Sequence, residues 1–130
     1  MVKKSQTSIE FVIMLGFVLL FFSVFLLIVQ GNTRSNLEQK NNLIARGIVE
    51  DVQDEVNLAL DASDGYYREF EVPDKIGSVD FDINIIDEMV YLNTTDGSIA
   101  MALPIVNVTG NVQNGTNVIQ KVDGEILLNQ

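Results

Sequence analysis

The chain has 130 residues and a mass of 14.4 kDa, with 8 basic and 18 acidic residues for a net charge of −10. That balance excludes a nucleic-acid partner, which needs a basic face. The absence of histidine and cysteine excludes disulfides, thiolate chemistry, Ser-His-Asp catalysis and His-rich zinc sites. No catalytic residue, cofactor or metal is indicated. One small domain fits beside the apolar segment at the N-terminus.

Met1 to Ser5 carry two lysines, Lys3 and Lys4, and Gln6-Thr7-Ser8-Ile9-Glu10 follows. Phe11 to Val29 then run without a charge, broken only by Gly16 and Ser23. As a helix this run extends ~28 Å, close to the ~30 Å hydrocarbon layer of a bilayer. Backbone groups left unpaired in lipid cost several kcal/mol each, so the segment has to be helical there. A secretory signal peptide shares the basic start, but its apolar core is shorter and lacks an acid such as Glu10. A permanent single-pass anchor, with Lys3 and Lys4 holding the N-terminus in the cytoplasm, explains all but Glu10. A carboxylate at that edge is either hydrated at the headgroups or has a partner.

Gln6, Ser8 and Glu10, preceded by a basic flank and followed by an apolar helix, resemble the class III signal sequence of archaeal type IV pilin-like proteins, whose pattern is Gln-x-Ser-x-Glu. Met14 stands where that pattern has its later leucine, with Leu15 next to it. The head segments Tyr66 to Gly77, Asn117 to Ile119 and Asp123 to Ile126 are also similar to those of small methanogen-type pilins. The resemblance implies a prepilin cut between Ser5 and Gln6 by a membrane peptidase, with Ser5 where the family usually has glycine. Loss of Lys3 and Lys4 makes the net charge two units more negative than −10. It also implies that Glu10 serves assembly, meeting the new amino terminus of a neighbouring subunit. The implied partners are copies of the chain itself, the prepilin peptidase, the pilus-assembly ATPase with its membrane platform, and the membrane that holds the precursor.

From Gln30 onward Leu37, Ile44, Ile48, Val52, Val56 and Leu60 recur at helical spacing, with Glu50, Asp51, Asp54 and Glu55 off that stripe. Gly31 and Asn32 invite a kink or break, and Asp61 to Gly65 offer a stop with Gly65 left-handed.

The pattern then changes to period two. Val79, Phe81, Ile83 and Ile85 alternate with Asp80, Asp82 and Asn84, and Phe70 and Val72 alternate with Glu69 and Glu71. Met89 to Leu92 and Ser98 to Leu103 flank the turn signal Asp96-Gly97. Asn114-Gly115 and Asp123-Gly124 mark further turns, with strands over Asn117–Val122 and Glu125–Leu128. Asp80 and Asp82 share a strand face, but without a third ligand they read as a solvated outer face and not as a calcium site. Asn93, Asn107 and Asn114 each open an Asn-x-Thr sequon and are candidates for N-glycosylation.

The expected fold is α+β: a long N-terminal helix packed on a small antiparallel β head. Residues 1–5 form a cleaved leader, 6–30 a transmembrane or filament-core helix, 31–65 its amphipathic continuation and 66–130 the head. The expected function is a structural subunit of an extracellular adhesive filament, with the precursor in the cell membrane and the mature form at the cell surface. The competing expectation is a membrane-anchored surface-binding module that never polymerises.

Overall fold

Helix α1 runs Val2–Asp61, and eight strands follow: β1 Tyr67–Val72, β2 Lys75–Ile76, β3 Val79–Ile86, β4 Met89–Thr94, β5 Ala100–Pro104, β6 Thr109–Gly110, β7 Gly115–Val122 and β8 Glu125–Leu128. The computed structural model describes residues 2–130, with side chains from Gln6 onward. The fold class is α+β, with the C-terminal part of the helix packed on the sheets. The chain divides into two units, one ending at Gln39 and the other spanning Lys40–Gln130.

The N-terminal unit is helix from Val2 onward, and its described side chains are exposed. Helical structure continues through Gly31 and Asn32, where the sequence leaves a kink or short break open. A single glycine costs about 1 kcal/mol relative to alanine but keeps its amide, so the hydrogen-bond ladder need not open.

In the second unit the buried helix positions are Ala45, Ile48, Val49, Val52, Val56 and Ala59. Leu37 and Leu60 of the expected stripe are exposed, at 56% and 45%. The reason is geometric. Steps of four residues drift by about 40° each around a 3.6-residue helix, so a strict i+4 ladder winds off its face. Alternating steps of four and three from Ala45 to Ala59 hold one face, and the sheets cover that face.

The expected single sheet is two. One sheet has the order β1-β7-β8-β6 and the other β2-β3-β4-β5. All pairings are antiparallel except β6 with β8. The strands around Asp96-Gly97 and Asp123-Gly124 form as expected, and β3 buries Phe81 and Ile83 while exposing Asp80, Asp82 and Asn84. Asp123 and Gly124 take φ of 51° and 82°, the left-handed pair of a two-residue hairpin. The β3–β4 hairpin turns on Asp87 and Glu88, with φ of 51° and 60°, and no glycine advertises it. At Gly110 a Cβ would collide with the Leu128 carbonyl oxygen, so only glycine lets β6 lie against β8.

The end of α1 is closed by a side chain from the sheet. Lys121 Nζ donates to the carbonyl oxygens of Leu60 at 2.7 Å and Ala62 at 2.8 Å, and Gly65 N donates to Lys121 O at 2.9 Å. Gly65 is left-handed, with φ of 93°, but sits in the following turn; the lysine satisfies the terminal carbonyls. Lys121→Met keeps the aliphatic stem and removes both bonds. Thermal denaturation should report a loss of about 1–2 kcal/mol, and an unchanged midpoint would deny the lysine this capping role.

Candidate functional site

The largest exposed apolar surface belongs to the helix between Ile9 and Val29. Phe11, Phe17, Phe21, Phe22 and Phe25 are 58–72% exposed, and none of the most apolar window is buried. The helix is long and apolar enough to cross a membrane. Two of its hydroxyls bond within the helix: Ser23 Oγ donates to Leu19 O at 2.8 Å, and Thr33 Oγ1 to Val29 O at 2.9 Å. Bonds to the carbonyl four residues back let such residues enter an apolar medium without an orphan donor.

Glu10 is the one charged residue between Gln6 and Gln30, and Gln6, Ser8 and Glu10 are all exposed on α1. Gln6 and Glu10 are one helical turn apart and so share a face. Ser5, the residue before the expected cut, has its side chain outside the described residues.

The head carries several ion pairs and polar contacts. Arg46 pairs with Glu50 at 2.8 Å and Lys75 with Asp80 at 3.1 Å, both on the surface. Arg68 Nη2 meets Glu55 Oε1 at 3.2 Å, and this carboxylate is 14% exposed, with Oε2 buried and without a hydrogen-bond partner. The pair ties β1 to α1. Among the described residues no group of three acidic side chains is placed to hold a metal ion. Asp80 is engaged by Lys75 on the exposed face of β3.

Among the described residues two titrating groups depart from their ordinary values, each through a local bond. The Ser98 hydroxyl and amide donate to Asp96 Oδ1 at 2.7 and 3.0 Å and hold its carboxyl below the usual range. Tyr67 donates to Glu69 Oε1 at 2.9 Å, which raises the phenol. Both are exposed turn or edge features.

The three sequons fall in different surroundings. Asn93 lies inside β4, paired with Asp82 on one side and Ala100 on the other. Asn107 lies in the segment between β5 and β6. Asn114 Nδ2 donates to Phe81 O at 3.0 Å.

Sequence reading missed an asparagine cluster. Asn117 is wholly buried: its Oδ1 accepts from Gln113 N at 2.9 Å and Asn129 Nδ2 at 2.8 Å, and its Nδ2 donates to Gln113 O at 2.7 Å and Gly115 O at 3.0 Å. Asn129, with φ of 55°, accepts from Val118 N at 2.8 Å and donates to Asn111 O at 2.8 Å. Asn111 Oδ1 in turn accepts from Ile85 N at 2.7 Å. The cluster ties the C-terminus to both sheets.

Comparison of the chain with protein-family models, curated proteins and solved structures gives no match.

Proposed function

We propose that the chain is the precursor of a structural filament subunit, cut before Gln6 and assembled through its apolar helix, with the acidic head facing outward for surface attachment. One observation carries the reading: apolar side chains are exposed on every side of α1 from Ile9 to Val29, with Glu10 as the lone charge. Withdrawing a large aliphatic or aromatic side chain from water is worth about 1.5–3 kcal/mol. Leaving this whole surface wet would therefore cost on the order of tens of kcal/mol. Lipid covers it in the precursor, and neighbouring copies of the same helix cover it in the filament.

The resemblance of Gln6, Ser8 and Glu10 to the class III pattern separates this reading from a simple anchor, which has no use for an acid at the membrane edge. Cleavage creates an amino group at Gln6, and in an apolar filament core that cation and a neighbour's Glu10 compensate each other's desolvation. A separate ATP-driven membrane machine supplies the work of extraction.

Glu10→Leu should leave a membrane-inserted, processed protein whose yield in sheared filaments falls about tenfold or more, in line with 1.4 kcal/mol per decade. Immunoblots of sheared and membrane fractions measure this; normal filament yield would overturn the role of Glu10. The reading as a whole is tested by the N-terminal residue of protein from its native cells, determined by mass spectrometry. A start at Gln6, with protein in the sheared fraction, supports it. A start at Met1 or Val2, with all protein in membranes, instead supports an anchored surface module.

A further inference from the structure

We propose that Asn107 is the N-glycan acceptor of this chain, and that Asn93 and Asn114 are not; the inference rests on the reading that the head faces the outside of the membrane. All three have the Asn-x-Thr sequence, so the sequence cannot rank them. Their surroundings do. An acceptor asparagine must bring its amide nitrogen to the donor sugar while the threonine two residues on is read by the transferring enzyme, so both must be reachable and the backbone between them must be free to adapt.

Asn107 meets these demands. It is exposed, it makes no side-chain hydrogen bond, and it lies in irregular backbone between β5 and β6. Val106 and Val108 on either side pack against the core, which holds the segment down and turns Asn107 outward. Thr109 is exposed and belongs to a two-residue edge strand, the kind of element that opens at little cost. Asn107 also borders two open hollows, of about 480 and 310 Å³, which leave room beside it for the first sugars.

The other two sequons fail on different grounds. Asn93 is held in the middle of its sheet with a strand on each side, Thr94 is buried, and Thr95 Oγ1 donates to Asp80 O at 3.1 Å. Asn114 already uses the reacting nitrogen, which donates to Phe81 O, and Thr116 lies in β7, paired with Glu71.

The donor is a glycan activated through an anomeric phosphate ester on a polyprenyl lipid. Asn107 Nδ2 attacks the anomeric carbon, the nitrogen–carbon bond forms as the carbon–oxygen bond to phosphate breaks, Nδ2 gives up one proton, and the lipid phosphate leaves. No electrons are exchanged with another reagent.

The test is peptide mapping by mass spectrometry of full-length protein from its native cells, with intact cells treated in parallel with a protease that cuts the head. A glycan on the Asn107 peptide, with Asn93 and Asn114 bare, is the expected result. Asn107→Gln and Thr109→Val should each lower occupancy at least tenfold, whereas Thr109→Ser, which keeps the hydroxyl, should retain it. A bare Asn107 on a head that the protease reaches would overturn the inference and leave the proposed function standing. Comparable occupancy at all three sites would also overturn it, because it would mean that the unfolded chain is modified. A head protected from the protease would overturn both this inference and the outward-facing head of the proposed function.

Discussion

Phe21→Asp is expected to abolish filament formation and to leave the head folded. Phe21 is 72% exposed, and Phe17 and Phe25 lie one turn to either side at 61% and 60%. These three share a face of α1 near the middle of the apolar run; with that run across a bilayer, as proposed, no headgroup or water would be within reach of a short acid. An aspartate at the centre of a membrane helix costs about 2.5–3.5 kcal/mol, whereas phenylalanine is slightly favourable there. The exchange of roughly 3 kcal/mol corresponds to more than a hundredfold in the insertion equilibrium of one subunit. In a filament the same charge recurs in every copy, and no cation lies between Gln6 and Gln30 to answer it. The readouts are the membrane-resistant fraction of the precursor and the yield of sheared filaments. The head should melt as before, since every buried core residue among those described lies at or beyond Ala45. Unchanged filament yield would mean that this face of the helix is neither in lipid nor in a filament core.

That separation between the two parts of the chain was legible in the sequence because each part carries a different periodicity. An uninterrupted apolar run needs no tertiary context to be recognised, and strict alternation from Val79 to Ile85 fixes which face of β3 is buried. The turns at Asp96-Gly97 and Asp123-Gly124 were legible for the same reason, since left-handed backbone favours glycine. The Asp87-Glu88 turn was not, because two acidic residues adopt that backbone where the sheet register demands it. The helix stripe was half legible: Ile48, Val52 and Val56 are buried as expected, but Ala45, Val49 and Ala59 complete the face. The alanines there allow close approach, and nothing in their hydrophobicity distinguishes them from surface alanines. The division into two sheets could not be read at all. It depends on β1 pairing with β7 across more than forty residues, and on a two-residue parallel bridge between β6 and β8.

The candidate sites divide along the same line. Glu10 stood out by its place against the apolar run and by the resemblance of Gln6, Ser8 and Glu10 to the class III pattern, and the sequons by their spacing; ranking the sequons needed the fold, because a strand partner or a donated amide proton is invisible in the sequence. The acidic excess has the same character. From position 40 onward there are sixteen acidic and five basic residues, and Arg46, Arg68 and Lys75 are each committed to a carboxylate. Most of the negative charge is therefore left to water and counterions, which keeps heads apart at low salt and relaxes that repulsion as salt rises.

Asn117→Leu should cost the head about 3–4 kcal/mol, even though it places an apolar side chain of similar size at a wholly buried position. Asparagine has two donors and two acceptor positions in this setting, and Asn117 uses all four, against Gln113, Gly115 and Asn129. Leucine leaves two donors and two carbonyl oxygens without this partner. Each buried group stranded in this way costs about 1–3 kcal/mol, reduced for those that can turn to water, as the exposed Gln113 can. The leucine gains little in return, because Asn117 was already out of water. For a domain of this size the loss should lower the melting midpoint by roughly 15–25 °C, measured on the full chain in detergent. Asn84→Ala is the matching control. Asn84 is exposed and contributes one long bond of 3.4 Å to Asn111, so its loss should stay within about 0.5 kcal/mol. If both substitutions were equally mild, the asparagine cluster would not hold the C-terminus; a large gap between them makes it the polar clasp that ties the C-terminus to both sheets.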